Sequence, residues 1–245
     1  MSLWRDILAA VMMGMVLPGV LLNLTVAGVR QENTIADIQI TIPEETEGSK
    51  IYLPVLVHRE DGSTVQENME DYLFGVVLAE MPASFQTEAL KAQAVAARTY
   101  ARKAWETGGK HEDGSVCMNS GCCQAYMTPE SYLSKGGTED NLNKVKEAVA
   151  ATAGECLQYK GEWIEATYFS CSGGSTEDAV AVWGTEYPYL QAVESPGEEG
   201  AKWYTDTAVF SQEQFCNLLG IQPENGKLRF EEVTYTEGGG VDTVC

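Results

Sequence analysis

Apolar positions recur with a helical period in the middle of the chain, and this pattern predicts two central helices. Over 69–81 the apolar side chains return every three or four residues until Pro82 ends the run. The alanine-rich segment 87–105 predicts a longer helix, with Thr87 as its N-cap and Gly108 just beyond its end. The first helix therefore ends at a short connection that leads directly into the second.

Strand candidates flank these helices and show a shorter period. Segment 51–58, IYLPVLVH, reads as a strand that Pro54 restricts to the edge of a sheet. Residues 155–159 and 162–170, on either side of a turn at 160–161, are typical of a β-hairpin. The remaining predicted elements are helices at 140–152 and 211–219, the latter capped by Ser211, and strands at 37–42 and 228–235. Together they predict an α+β fold, a single soluble domain of helices packed on antiparallel strands and hairpins.

An uncharged apolar run occupies positions 7–29. Its 23 residues exceed the roughly 20 that cross a bilayer as a helix, so it predicts a membrane anchor over 1–30. A cleavable signal peptide and a buried core helix are the alternatives. Residues 31–50 are then a polar stalk, and 51–245 form a domain outside the cytoplasm.

Composition and charge narrow the classes of function. Of the 245 residues, 44% are hydrophobic and 21% are charged, as in ordinary folded domains, so a substantial core can form. The formal net charge is −20, whereas a nucleic-acid binder needs a basic surface to displace counterions from phosphates. We therefore expect no nucleic-acid partner.

Seven cysteines, an odd number, all lie at or beyond position 117. Three of them, Cys117, Cys122 and Cys123, join His111 in 110–137, a segment rich in Gly, Ser and Asn without a regular period. An imidazole and thiolates in such a loop suit a tetrahedral structural zinc ion, for which His111, Cys117 and Cys123 are the preferred ligands. The fourth ligand could be Cys122, a water molecule or another group. A disulfide is the alternative, because the compartment outside a membrane can be oxidising.

Three ordered segments carry a resemblance to a known family. They are LAEMPASFQTEALKAQAVAARTYA at 78–101, EAVAATAGECLQYKGEWIEATYFSCSGGSTE at 147–177 and VWGTEYPYLQAVESP at 182–196. Together they closely resemble the stage II sporulation protein D family over roughly residues 70–196. The resemblance implies a membrane-anchored lytic transglycosylase that cuts peptidoglycan between N-acetylmuramic acid and N-acetylglucosamine and leaves a 1,6-anhydro end. It further implies a role in engulfment during endospore formation, with a single-pass protein of the cell membrane facing the space between mother cell and forespore.

The resemblance assigns the chemistry to Glu80, which matches the family's catalytic glutamate in the run Ala-Glu-Met-Pro. Breaking a glycosidic bond requires a proton for the leaving oxygen. If the sugar's own 6-hydroxyl then attacks, one carboxyl group can act first as acid and then as base. We therefore expect that the chemistry needs no cofactor.

Further positions match the family motif and are expected to bind the substrate. Lys91 and Arg98 lie two turns apart on one helix face, from which they could bind the lactyl carboxylate or N-acetyl groups of the sugar. An exposed basic stripe on an acidic protein is the alternative. The other expected substrate-binding residues are Gln124, Tyr126, Tyr168, Ser170, Ser172, Gly173 and Gly174.

The resemblance also indicates partners and competing functions. Peptidoglycan glycan strands are the expected substrate, and a cell-wall amidase and a membrane protein of the engulfment machinery are the expected partners. One alternative is a non-catalytic glycan-binding module that recruits or enhances an amidase, and another is a zinc-dependent hydrolase centred on His111. Family members continue beyond the equivalent of Cys245, so we expect 51–245 to be a C-terminally incomplete catalytic domain.

Overall fold

A computed structural model describes residues 38–41, 53–202, 204–223 and 226–244. They belong to the unit Ile38–Cys245. The predicted anchor at 7–29 lies outside the described residues, as does the predicted stalk apart from 38–41. Within the described ranges, no helix combines the length and the apolar character needed to cross a membrane.

The structure confirms the four helices that the sequence pattern predicted. The described helices are α1 (Met69–Glu80), α2 (Thr87–Thr107), α3 (Pro129–Ser134), α4 (Glu139–Ala151), α5 (Ala179–Trp183) and α6 (Gln212–Leu219). The predicted helices correspond to α1, α2, α4 and α6 to within a few residues. The other two were not predicted, because helices of 6 and 5 residues are too short to establish a period.

The helix caps follow the sequence with one exception. Ser211 caps α6 as predicted, and Gln214 completes a reciprocal capping box. The predicted N-cap of α2 was wrong. Thr87 is the first helical residue, and Gln86 occupies the N-cap position without a side-chain hydrogen bond. Gly108 ends α2 with a positive φ of 83°, as expected of a glycine in that position.

The described strands form three small sheets. The strands are β1 (Ile38–Thr41), β2 (Pro54–His58), β3 (Thr64–Asn68), β4 (Val116–Cys117), β5 (Cys156–Tyr159), β6 (Glu162–Trp163), β7 (Val233–Tyr235) and β8 (Val241–Val244). Their orders are β1-β5-β6, β3-β2-β4 and β7-β8. All pairs are antiparallel except β2 with β4. The α+β class is therefore confirmed.

Three strand predictions require correction. The predicted strand 228–235 is reduced to β7 (Val233–Tyr235). The strand with Pro54 is central rather than at an edge, because β3 and β4 flank it. This is possible because Pro54 is the first strand residue and β4 pairs only with Val57 and His58. The predicted strand 162–170 is reduced to β6, although the hairpin turn is present, with positive φ at both of its residues.

The core lies where α1 packs against α2, α4 and β2. Leu73 and Val76 on α1 have no exposed surface, nor do Leu90 and Ala97 on α2 or Val145 on α4. Small alanine side chains on α2 let the helices approach closely. The last turn of α1 therefore follows a part of the helix that is tightly packed in the core.

Candidate functional site

Glu80 is the last residue of α1, and its position follows from the residues after it. Met81 adopts an extended conformation with φ −134° and ψ 132°, as is usual for a residue that precedes proline. The helix stops there, and the half-buried Glu80 side chain stands at its free end. One carboxylate oxygen, Oε1, accepts a 2.7 Å hydrogen bond from the backbone N–H of Ala125.

The segment around Ala125 is held on α1 by close packing at a glycine. The Met127 N–H donates to the Gly75 carbonyl at 3.0 Å. A Cβ atom at Gly75 would lie 2.2 Å from the Tyr126 ring, so only glycine permits this contact. Tyr126 also stacks on Tyr72, with 5.9 Å between ring centroids. Tyr126 therefore packs on the helix beside the site, and a direct contact with substrate stays a prediction.

Gln124 and Tyr168 form the inner side of the site. Gln124 is 1% exposed, accepts from the Tyr72 hydroxyl at 3.2 Å and donates to the Ala97 carbonyl at 3.3 Å. The same amide donates to the Tyr168 hydroxyl at 3.1 Å. Burial raises the pKa of Tyr168, although the Gln124 bond opposes this, and the adjacent Glu80 carboxylate raises it further. The structure thus brings Glu80, Gln124 and Tyr168 together, with Gln124 acting as a buried support.

Arg98 does not lie on the surface of the site, which corrects the expectation that it faces the substrate. Its side chain has no exposed surface. The guanidinium donates to both carboxylate oxygens of Glu70, at 2.8 and 2.6 Å. It also donates to the carbonyls of Glu155 at 3.1 Å and Val149 at 3.3 Å. Arg98 therefore ties α1 and α2 to the end of α4 and to the residues that enter β5.

Lys91 lies two turns earlier on α2 and has a different environment. Its ammonium group pairs with Glu88 at 2.8 Å, and the two side chains are 31% and 80% exposed. Such a solvated pair within one helix contributes little to stability. Lys91 remains available to a ligand, so its role in binding stays a prediction, but it does not share a surface with the buried Arg98.

The loop that contains Ser172 is occupied by a carboxylate of the chain itself. The N–H and hydroxyl of Ser172 and the N–H of Gly174 all donate to Glu198, at 2.6–3.1 Å. Hydrogen bonds from the Ser172 side chain above all lower the pKa of Glu198 to about 2. Gly173 and Gly174, with φ values of 81° and 107°, give the loop its shape, and Ser170 is exposed. Sequence reasoning missed Glu198, because nothing in its local pattern distinguishes it from other acidic surface residues.

The predicted metal-ligand residues come together. One ligand atom from each of His111, Cys117, Cys122 and Cys123 lies within 4.8 Å of the others. The Cys122 Sγ atom is 3.7 Å from His111 Nε2 and 3.9 Å from Cys123 Sγ. Ligand atoms around tetrahedral zinc lie about 3.5–3.8 Å apart, given the usual Zn–S and Zn–N lengths. The residues present therefore fit a zinc ion.

The thiols of this cluster are free, as are the other described cysteines. A disulfide requires sulfur atoms about 2.05 Å apart, so Cys122 and Cys123 are not bonded to each other. Burial opposes ionisation of Cys117, but hydrogen bonds from the Asn119 amide and from His111 outweigh it and lower the pKa of Cys117 to about 7.

His58 is a neighbour of this cluster that sequence reasoning did not connect with it. The register of β2 and β4 places His58 opposite Cys117. The His58 ring lies edge-on to the His111 ring, with 4.9 Å between centroids, and its Nε2 is 3.6 Å from the Asp113 carboxylate. No local signal could have revealed this contact, because it depends on pairing between strands distant in sequence.

Comparison with known proteins relates the chain to sporulation proteins. A family described as stage II sporulation protein matches residues 60–159. Over 184 residues the chain is 37% identical to stage II sporulation protein D of Bacillus subtilis, which covers 73% of this chain and 53% of that protein. The protein of the same name from Bacillus amyloliquefaciens is 38% identical over 173 residues, 69% of this chain and 50% of that protein. The chain thus spans about half the length of these curated relatives.

A third relative carries a different name. An amidase enhancer of Bacillus subtilis is 39% identical over 142 residues, which make up 58% of this chain and 17% of that protein. The family match over 60–159 contains Glu80, Ala125 and the cysteine-histidine cluster.

Proposed function

The chain belongs to the stage II sporulation protein D family, and we propose that it is a lytic transglycosylase that cuts the glycan strands of peptidoglycan. The bond cleaved joins N-acetylmuramic acid to N-acetylglucosamine, and the product carries a 1,6-anhydro end. The observation that supports this most directly is the setting of Glu80, a carboxyl group at a helix end that accepts from Ala125 and lies beside Tyr168.

One carboxyl group is sufficient for this reaction. Protonated Glu80 donates its proton to the glycosidic oxygen as the bond from that oxygen to C1 of the muramyl residue breaks. The 6-hydroxyl of the same sugar then attacks C1, and the Glu80 carboxylate accepts the hydroxyl proton. Water is not consumed, and Glu80 ends in the protonation state in which it began.

The residues around Glu80 have supporting roles in this scheme. The Ala125 N–H fixes one carboxylate oxygen, and the Tyr168 hydroxyl, itself held by Gln124, also contacts the carboxyl group. A fixed carboxyl group loses less orientational freedom when the substrate reacts.

The test is digestion of purified, peptide-free glycan strands, with products identified by mass spectrometry. The chain should release anhydro-ended fragments, and Glu80→Gln should release none, since an amide cannot transfer the proton. The matched control is Glu147→Gln, at an exposed position of α4, which should keep its activity. Anhydro products from Glu80→Gln, or their absence with the unaltered chain, would overturn the proposal.

Similarity to the amidase enhancer supports a second candidate function. In this alternative the chain binds glycan strands and recruits or enhances a cell-wall amidase without cutting. Release of stem peptides by an added amidase should then increase in the presence of either the unaltered chain or Glu80→Gln. Cleavage by the first and not by the second supports the enzyme instead.

We further propose that the cluster of His111, Cys117, Cys122 and Cys123 holds a structural zinc ion. A zinc ion bound there would cross-link 111–123, which lead directly into Gln124 and Ala125 at the site. The chemistry assigned to Glu80 does not involve the metal. The proposed role is therefore to hold the loop in position.

The proposed location and partners rest on the resemblance to the family. We propose that 7–29 anchors the chain in the cell membrane with the catalytic domain outside the cytoplasm, between mother cell and forespore during engulfment. A cell-wall amidase that strips stem peptides and a membrane protein of the engulfment machinery are the proposed partners. Membrane fractionation of the full chain, with and without residues 1–30, tests the anchor.

A further inference from the structure

A cleft lies beside the candidate acid. Its volume is about 440 Å³, within the range usual for small-ligand sites. The residues on either side of Glu80 in the chain, Ala79 and Met81, both line it. The opposite wall is formed by α3 and by the connection from α3 to α4. A strand of sugars with its scissile bond at Glu80 would therefore pass close to this cleft.

Hydrogen bonds and close packing support the walls of the cleft. The Lys144 ammonium donates to the carbonyl oxygens of Ala83 at 3.0 Å and Phe85 at 2.5 Å, which holds the turn between α1 and α2 against α4. On the other side, the Gly137 N–H donates to the Tyr132 carbonyl at 3.0 Å. A Cβ atom at Gly137 would lie 2.1 Å from the Tyr132 ring, so the connection packs tightly on that ring.

The lining combines apolar surface with three polar side chains, those of Ser84, Lys135 and Asn141. Met81, Met127 and Tyr132 supply apolar and aromatic surface, and Asn141 supplies an amide. Among the described residues that line the cleft, Lys135 is the single charged one. Its side chain is exposed and forms no ion pair with another described residue. In a chain with a net charge of −20, an unpaired cation that lines the cleft favours an anionic ligand.

We propose that this cleft is a saccharide subsite for an N-acetylmuramic acid residue next to the bond that is cut. Lys135 pairs with the lactyl carboxylate, Asn141 hydrogen-bonds the acetamido group, and Met127 and Tyr132 cover the apolar face of the sugar. Because N-acetylglucosamine lacks the lactyl group, this subsite would set the register of the alternating strand. This inference rests on the proposed function, since it assumes a peptidoglycan strand at Glu80.

Binding measurements test the subsite separately from cleavage. The affinities of two probes of equal length are measured by calorimetry on a Glu80→Gln background: peptide-free glycan oligomers that contain N-acetylmuramic acid, and chito-oligosaccharides that do not. Lys135→Ala should weaken binding of the first probe about tenfold, the scale of one charge-assisted hydrogen bond, and leave the second unchanged. Asn141→Ala should weaken both, because both probes carry acetamido groups.

Lys146→Ala is the matched control, because Lys146 is exposed on α4 and does not line the cleft. Lys135→Arg should retain most of the preference for the carboxylate-bearing probe. Unchanged affinity of Lys135→Ala for the muramic probe, or equal losses for both probes, would overturn the subsite. A chain that shows the expected binding and never cuts would overturn the proposed function alone, because the affinities are measured without cleavage.

Discussion

The backbone N–H of Ala125 donates a 2.7 Å hydrogen bond to Oε1 of Glu80. Ala125 follows Cys123 and Gln124 directly, so the segment that carries the cysteine-histidine cluster also orients the candidate acid. The same segment is fastened to α1 by the Met127 bond to Gly75. A substitution that disturbs either hydrogen bond is therefore expected to shift the Glu80 side chain, although Glu80 itself is unchanged.

Gly75→Ala should destabilise the chain and impair the site together. The added methyl group would lie 2.2 Å from the Tyr126 ring, which must move away from α1 and shift the segment that holds Ala125. We expect a loss of about 1–3 kcal/mol in the free energy of unfolding, as for other overpacked positions. Urea unfolding and glycan digestion measure the two effects. At Gly200 a methyl group would meet nothing within 4 Å, so Gly200→Ala should behave like the unaltered chain.

Tyr168→Phe should slow cleavage and leave the fold intact. The change removes a hydroxyl that contacts Glu80 and accepts from Gln124, and it keeps the aromatic ring. Loss of one hydrogen bond worth about 1.4 kcal/mol corresponds to a roughly tenfold lower kcat. Tyr235→Phe is the control, since Tyr235 is 66% exposed on β7. An unchanged kcat for Tyr168→Phe would exclude a role for this hydroxyl.

Local pattern was sufficient for the long helices and for the cysteine-histidine cluster, whereas Glu80 and the expected substrate-binding residues were assigned by resemblance to the family. A helix such as α2 displays its period over many residues, and the cluster was recognisable from residue type in a short loop. In contrast, β4 has two residues, and its partner β2 lies far away in the sequence, so no local pattern could predict it.

Arg98 shows why local reasoning failed for part of the site. Two turns of α2 place Lys91 and Arg98 on one face, and a sequence cannot indicate which end of that face is covered. Carbonyl groups of Val149 and Glu155, together with Glu70 on α1, enclose the Arg98 end only. Packing between segments that are distant in sequence therefore decides whether such an arginine is exposed to a ligand or forms buried hydrogen bonds within the fold.

Arg98→Met should be strongly destabilising because it leaves the Glu70 carboxylate, 19% exposed, without its counter-charge. Removing one partner of such a pair costs about 3–5 kcal/mol in the free energy of unfolding. The double variant that carries both Arg98→Met and Glu70→Met should recover a large part of that loss in stability. Urea unfolding of both single variants and the double variant gives the coupling energy. A double variant as unstable as the sum of the single variants would show that the pair does not act as a unit.

Zinc content tests the metal proposal directly. Native mass spectrometry of the chain should find one zinc ion, and Cys117→Ser should weaken zinc affinity by more than about a hundredfold, since it removes a ligand. Cys171→Ser is the control, because Cys171 lies outside the cluster and contacts Glu198 instead. Removal of the metal by a chelator should lower the melting temperature and reduce cleavage without abolishing it. A disulfide between cluster cysteines, or zinc binding unaffected by Cys117→Ser, would contradict the proposal.

Glu198 should make the stability of the Ser172 loop depend on pH in a defined direction. Hydrogen bonds from Ser172 and Gly174 lower the pKa of Glu198 from 4.5 to about 2, so the folded chain favours the ionised form more than the unfolded chain does. The contribution is complete above about pH 4.5 and is lost as the pH falls through about 2. Glu198→Gln should therefore be less stable than the unaltered chain at pH 7, and the gap should narrow below pH 4.5. Urea unfolding at several pH values measures this gap, with Glu199→Gln at the adjacent exposed position as control. A gap that stays constant from pH 7 to pH 3 would show that the carboxylate charge does not hold the loop.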